Sequence, residues 1–141
     1  MSAIETAIKN WRRTGVSLLP PNGEAAVITA LSRMGRKYSR DIVALYCATG
    51  GMPEAETDSR DWSLWPLDKV VSENSEYDRP HILFADFLIN SHLYCLKYET
   101  DERSSVRLDY FNGDEPREVA ASVNEFFEIY LRTPGDLEIF E

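Results

Sequence analysis

Residues 81–99 read HILFADFLINSHLYCLKYE, and the way this stretch divides decides the fold. Two apolar, aromatic-rich runs, 81–87 and 92–99, flank the four residues LINS, a length suited to a hairpin connection. A third run, SVRLDYF at 105–111, alternates in character. Val106, Leu108 and Tyr110 share one face, and Ser105, Arg107 and Asp109 share the other. The segments TDERS and NGDEP on either side of it carry turn chemistry, with Asn112-Gly113 the most permissive pair. Three consecutive strands on short connections predict an antiparallel sheet.

Working outward, residues 116–132 are expected to form one helix. Val119, Val123, Phe126, Phe127, Tyr130 and Leu131 make a stripe broad enough to cover one side of that sheet. Toward the N-terminus, Ser2 caps a helix over 2–13 whose Ile4, Ala7, Ile8 and Trp11 recur at helical spacing. Pro20-Pro21 interrupts, and Asn22 is the expected cap of a second helix over 23–34 that buries Val27, Ile28, Leu31 and Met34. Ser39 starts a third helix carrying Ile42, Leu45 and Tyr46, and Gly50-Gly51 reverses the chain after it. Helices, then strands, then a helix predict a single α+β domain over 1–141 rather than alternating βαβ units.

Between the helices and the hairpin lies DWSLWPLDKV, residues 61–70. It leads into a first strand and then a single helical turn at Leu67–Val71. Trp65 and Leu67 are expected to anchor it to the core, and Trp62 to stay partly exposed as a contact residue, because tryptophan is favoured at interface anchors. The polar segments 53–61 and 72–80 on either side read as exposed loops.

The chain has 141 residues, 43% of them apolar, and a net charge of −9. No apolar run approaches the ~20 residues of a membrane span. The opening MSAIETAIKNWRR lacks the basic-then-apolar order of a secretory signal, so a cytoplasmic address is expected. Cys47 and Cys95 sit at no zinc or redox spacing and read as reduced core residues. Residues 1–53 carry +4 and residues 54–141 carry −13. So acidic a chain does not hold nucleic acid by neutralising phosphates, and its far field favours basic protein partners. His81 and His92 stand alone, and no nucleophile elbow, phosphate loop or dinucleotide fingerprint is present. No catalytic, cofactor or metal residue is therefore expected, and the chain reads as a non-enzyme.

Four further pieces carry a resemblance: LLPPNGEAAVITALSRMGRKYSRDIVALYCATGGM (18–52), WSLWPLDKVV (62–71), ILFADFLINSHLYCLKYE (82–99) and PREVAASVNEFFEIYLRT (116–133). In this order they resemble the SUKH superfamily, also called SMI–KNR-like, over about residues 18–132. The carriers are a proline before a helix, Leu45-Tyr46 ahead of Gly50-Gly51, a Trp-Pro-Leu element and a Phe-Ala-Asp strand. The resemblance implies helices packed on a central, curved antiparallel sheet, with no catalytic residues. It also implies a bacterial immunity protein that neutralises a cognate toxin domain by direct binding, a basic nuclease for instance, or else a regulatory interaction scaffold. A small ligand-binding domain is the remaining alternative. The candidate partner surface is Glu54, Glu56, Asp58, Asp61 and Trp62, then Glu73, Glu76 and Asp78, together with a bare sheet face around Arg107 and Asp109.

Overall fold

A computed structural model describes residues 2–140. Helix α1 (Ala3–Arg13) starts where the sequence places it, with the Ser2 hydroxyl accepting from the Glu5 N–H at 3.2 Å, and it buries Ala7, Ile8 and Trp11. Helix α2 (Glu24–Ser32) is shorter than expected. Gly23 is its N-cap, because Asn22 turns its backbone and side-chain amides onto the Tyr46 carbonyl, each at 3.1 Å. Val27 and Leu31 are buried, but Ile28 is exposed and Met34 is only half-buried. Helix α3 (Arg40–Ala48) buries Ile42, Leu45 and Tyr46 as expected.

The reversal after α3 needs both glycines. Gly50 and Gly51 thread between Leu19-Pro20 on one side and Trp65-Pro66 on the other, with Leu19 N–H bonded to the Gly51 carbonyl at 2.8 Å. A Cβ on Gly50 would lie 2.3 Å from the Pro20 oxygen, and Gly51 has φ of +90°.

Five strands form one antiparallel sheet in chain order: β1 (Trp62–Leu64), β2 (Ile82–Phe87), β3 (His92–Tyr98), β4 (Ser104–Asp109) and β5 (Arg117–Ala120). With the helices packed on it, the fold is α+β. The expected helix over 116–132 is in fact β5 followed by α5 (Val123–Arg132). Pro116 supplies no N–H at the start, REVA pairs with the free edge of β4, and Ser122 caps the shorter helix through the Glu125 N–H at 3.0 Å. Tyr110 falls beyond the end of β4 and is 45% exposed, so it is not part of the apolar strand face.

Beneath α5 and α1 lies an aromatic core. Trp62, Phe84 and Tyr94 each meet the Phe126 ring at 5.7–6.0 Å, and Trp62 also stacks on Trp11 at 6.1 Å. Trp62 is therefore wholly buried, contrary to the partial exposure expected of it. Its register opposite Phe87 turns it into the core. Trp65, just past the strand, is buried as expected, while Leu67 is only half-buried.

β1 is short and pairs with only the second half of β2. Helix α4 (Leu67–Asn74), two turns rather than one, completes the remaining edge. The Asn74 side chain accepts from Leu83 N–H at 2.8 Å and donates to its carbonyl at 2.9 Å, as a neighbouring strand would.

Trp62→Ala should lower unfolding free energy by about 3–5 kcal/mol, and Gly50→Ala by about 1–3 kcal/mol through overpacking. Urea midpoints at unchanged slope would check both, and a wild-type midpoint for Trp62→Ala would contradict the core assignment.

Candidate functional site: an acidic groove beside two apolar hairpin tips

The second face of the sheet is not bare. The connection from α4 to β2 folds back across it, and Arg36 holds that connection in place. Its guanidinium donates to the carbonyls of Asn74 (2.5 Å), Tyr77 (2.7 Å), His81 (2.8 Å) and Arg79. Asp109 completes the clasp from the sheet. It accepts from the Tyr77 hydroxyl at 2.6 Å and Phe111 N–H at 2.8 Å, and Arg79 lies 3.7 Å away. Asp109 is thus buried at 2% exposure and cannot present the free charge expected of it. Arg107 is half-buried between Glu118 at 3.3 Å and Glu99 at 3.9 Å. The two residues expected to define an open polar face are instead tied into the fold.

The acidic loops divide in the same way. Asp58 is buried, against expectation. Its Oδ1 accepts from the N–H groups of Arg60 at 2.8 Å and Trp62 at 3.0 Å, and its Oδ2 takes the Tyr130 hydroxyl. That network uses Asp58 to pin the loop onto α5. Glu54, Glu56 and Asp61 stay exposed, as do Glu73, Glu76 and Asp78. None of these six makes an ion pair with another described residue. They form two groups, not one. Glu56 and Asp61 are tied to the β1 side of the sheet, through Ser63 and Leu88, whereas Glu73, Glu76 and Asp78 belong to α4 and the connection after it, where Asn74 is bonded to Leu83.

Of the two, the second group borders a concave surface. Glu73, Glu76 and Asp78 rim a groove of about 430 Å³ whose apolar lining includes Trp65, Leu83, Leu93 and Phe111. Lys69 lies over the Trp65 ring at 4.7 Å and is the basic residue of that lining. Asp86 sits directly across from Leu93 and is buried. Burial pushes its carboxyl above the usual range, with Lys69 pulling the other way.

One end of the groove meets hairpin tips that sequence reasoning missed. Asn90 of the β2–β3 turn lines it, and in that turn Leu88 is 51% and Ile89 80% exposed. Leu88, Ile89 and Asn90 all have positive φ, at 50°, 50° and 68°. The left-handed conformation costs about 1–2 kcal/mol per residue for side chains of this kind. Phe111, at φ 55° and 55% exposed, belongs to the β4–β5 turn at the same end of the sheet. A signal did exist in the sequence: LINS puts two large apolar residues where a hairpin turn normally has glycine, asparagine or aspartate.

Comparison with protein-family models finds none that matches, and no curated protein matches the chain.

The raised Asp86 carboxyl has a sign that can be tested. Its folded state titrates above the unfolded one, so ionisation opposes folding at neutral pH and ceases to do so below the unfolded value of ~3.9. Asp86→Asn should therefore stabilise the protein at pH 7, with the gain shrinking as pH falls toward 4. Urea unfolding at both pH values reads this out, and a gain that grows on acidification would refute it.

Proposed function

We propose that this chain is a non-enzymatic protein-binding domain, an immunity protein of the SUKH type that neutralises a basic toxin domain by direct contact. The observation that carries this reading is the groove on the second sheet face, where three carboxylates without an ion-pair partner among the described residues rim an apolar floor. Protein interfaces combine these elements, an apolar centre that desolvates and a charged rim that steers the approach. Glu73, Glu76 and Asp78 supply the steering and favour a cationic partner. Phe111 at the groove, with Leu88 and Ile89 at its end, supplies apolar surface already turned outward. A nuclease toxin has the required sign, because it must carry positive charge to hold its own phosphate backbone.

The acids at Glu54, Glu56 and Asp61 are assigned a lesser part. They lie on the β1 side of the sheet and add to the negative field, and none of them is among the residues lining the groove. Asp58, Trp62, Arg107 and Asp109 are withdrawn from the contact set, since the fold itself uses them.

The test is co-expression with the product of the neighbouring open reading frame, followed by affinity measurement across a salt series. Combined Glu73→Lys, Glu76→Lys and Asp78→Lys should weaken binding about 100-fold, on the order of 1 kcal/mol per reversed charge. The same variant should lose most of the wild type's salt dependence and fail to protect cells. Wild-type protection by the triple variant, or affinity indifferent to salt, would defeat the proposal.

A further inference from the structure

The connection that walls the acidic groove has another side, of opposite character. Arg36, Lys37, Arg79, His81 and Lys97 line a cavity of about 700 Å³ there, and Asp78 is the sole carboxylate among its described lining residues. In a chain of net charge −9 this is a concentrated inversion of sign.

The cations are not equally neutralised. Arg79 is compensated by Asp109 at 3.7 Å and Glu115 at 3.3 Å. Arg36 spends its donors on four neutral carbonyls and has no carboxylate partner among the described residues. Its charge is therefore fixed in position and left uncancelled. Lys37 lies over the Tyr98 ring at 5.2 Å, also without a described carboxylate partner. The nearest acid to Lys97 is Glu99, at 3.9 Å and at the limit of pairing.

His81 stands in this wall, nine-tenths buried, and its Nδ1 has no hydrogen-bond partner among the described residues. Burial lowers its pKa first, and Arg107, Lys97 and Arg79 lower it further, while Glu115 alone raises it. The imidazole thus senses a positive surrounding.

We propose that this cavity is an oxyanion site of the phosphate class, in which Lys37 and Lys97 close on the ligand beside the immobilised Arg36 guanidinium. Two exposed ammonium donors on flexible stems and one fixed charge suit a dianion better than a single carboxylate. The cavity is larger than a bare phosphate requires, which leaves room for the organic remainder of a phosphorylated small molecule. This site needs no toxin partner, so it stands or falls separately from the immunity role.

The chain's two histidines make the test direct. Histidine NMR titrations of the whole protein would be run with and without inorganic phosphate, with ionic strength held constant by chloride. Phosphate should raise the His81 midpoint saturably, by about 0.5–1 pH unit. His92 is the internal control. It packs against Phe87, Tyr94 and Tyr110 with ring centroids 5.1–5.6 Å away, on the core side of the sheet, and should not move. The Lys37→Ala/Lys97→Ala variant alters two exposed side chains, so it should fold normally and need at least about tenfold more phosphate for the same rise. An unmoved His81, an equal movement of His92, or an unchanged response in the double variant would each overturn the site.

Discussion

The structure depends on one buried carboxylate. Asp58 accepts two backbone N–H groups from its own loop and the Tyr130 hydroxyl from α5, and Tyr130 in turn accepts from the Trp11 indole of α1 at 2.7 Å. A loop, the first strand and the N- and C-terminal helices thus meet in a single chain of hydrogen bonds. Inside an aromatic core such a chain is strong because it is fully satisfied, and each unmade link would leave a polar group stranded away from water. Burial, with the Asp58 charge beside it, pushes the Tyr130 hydroxyl far above its usual titration range, which favours its role as the donor to Asp58. With the loop pinned, Trp62 enters the core and β1 takes its register opposite Phe87.

A second clasp shapes the opposite face. Arg36 gathers the carbonyls of the α4–β2 connection, and Asp109 draws in Tyr77 and Arg79 from the same connection. The resulting ridge divides the surface into an acidic hollow with an apolar floor and a basic hollow with tyrosine at its edge. Tyr77 and Asp78 belong to both. Opposite fields can sit side by side because the wall between them is held by neutral backbone oxygens, which do not cancel the guanidinium charge.

The elements were largely legible in the sequence because they rest on local rules. The Ser2 cap, the glycine reversal and the three strand-like runs are short-range signals, and the structure shows each of them. The failures were tertiary. REVA is ambiguous between strand and helix until the free edge of β4 is considered, and Trp62 turns inward only because of its pairing with Phe87. Asp58 and Asp109 looked like surface charge because no local pattern marks an aspartate whose partner lies 72 or 32 residues away. The acidic rim at Glu73, Glu76 and Asp78 was visible as composition, but its apolar floor was not, since Leu83, Leu93 and Phe111 come from three separate parts of the chain.

The strand order has an implication for how the molecule is made. Each strand pairs with the next one synthesised, so the sheet is able to assemble progressively as the polypeptide leaves the ribosome. Its aromatic side cannot be sealed so early. Trp11 and Trp62 wait for Phe126, Phe127 and Tyr130, which follow all five strands in the chain. A chain truncated before residue 123 would therefore leave the aromatic side of its sheet unprotected, the kind of intermediate that chaperones retain and proteases remove.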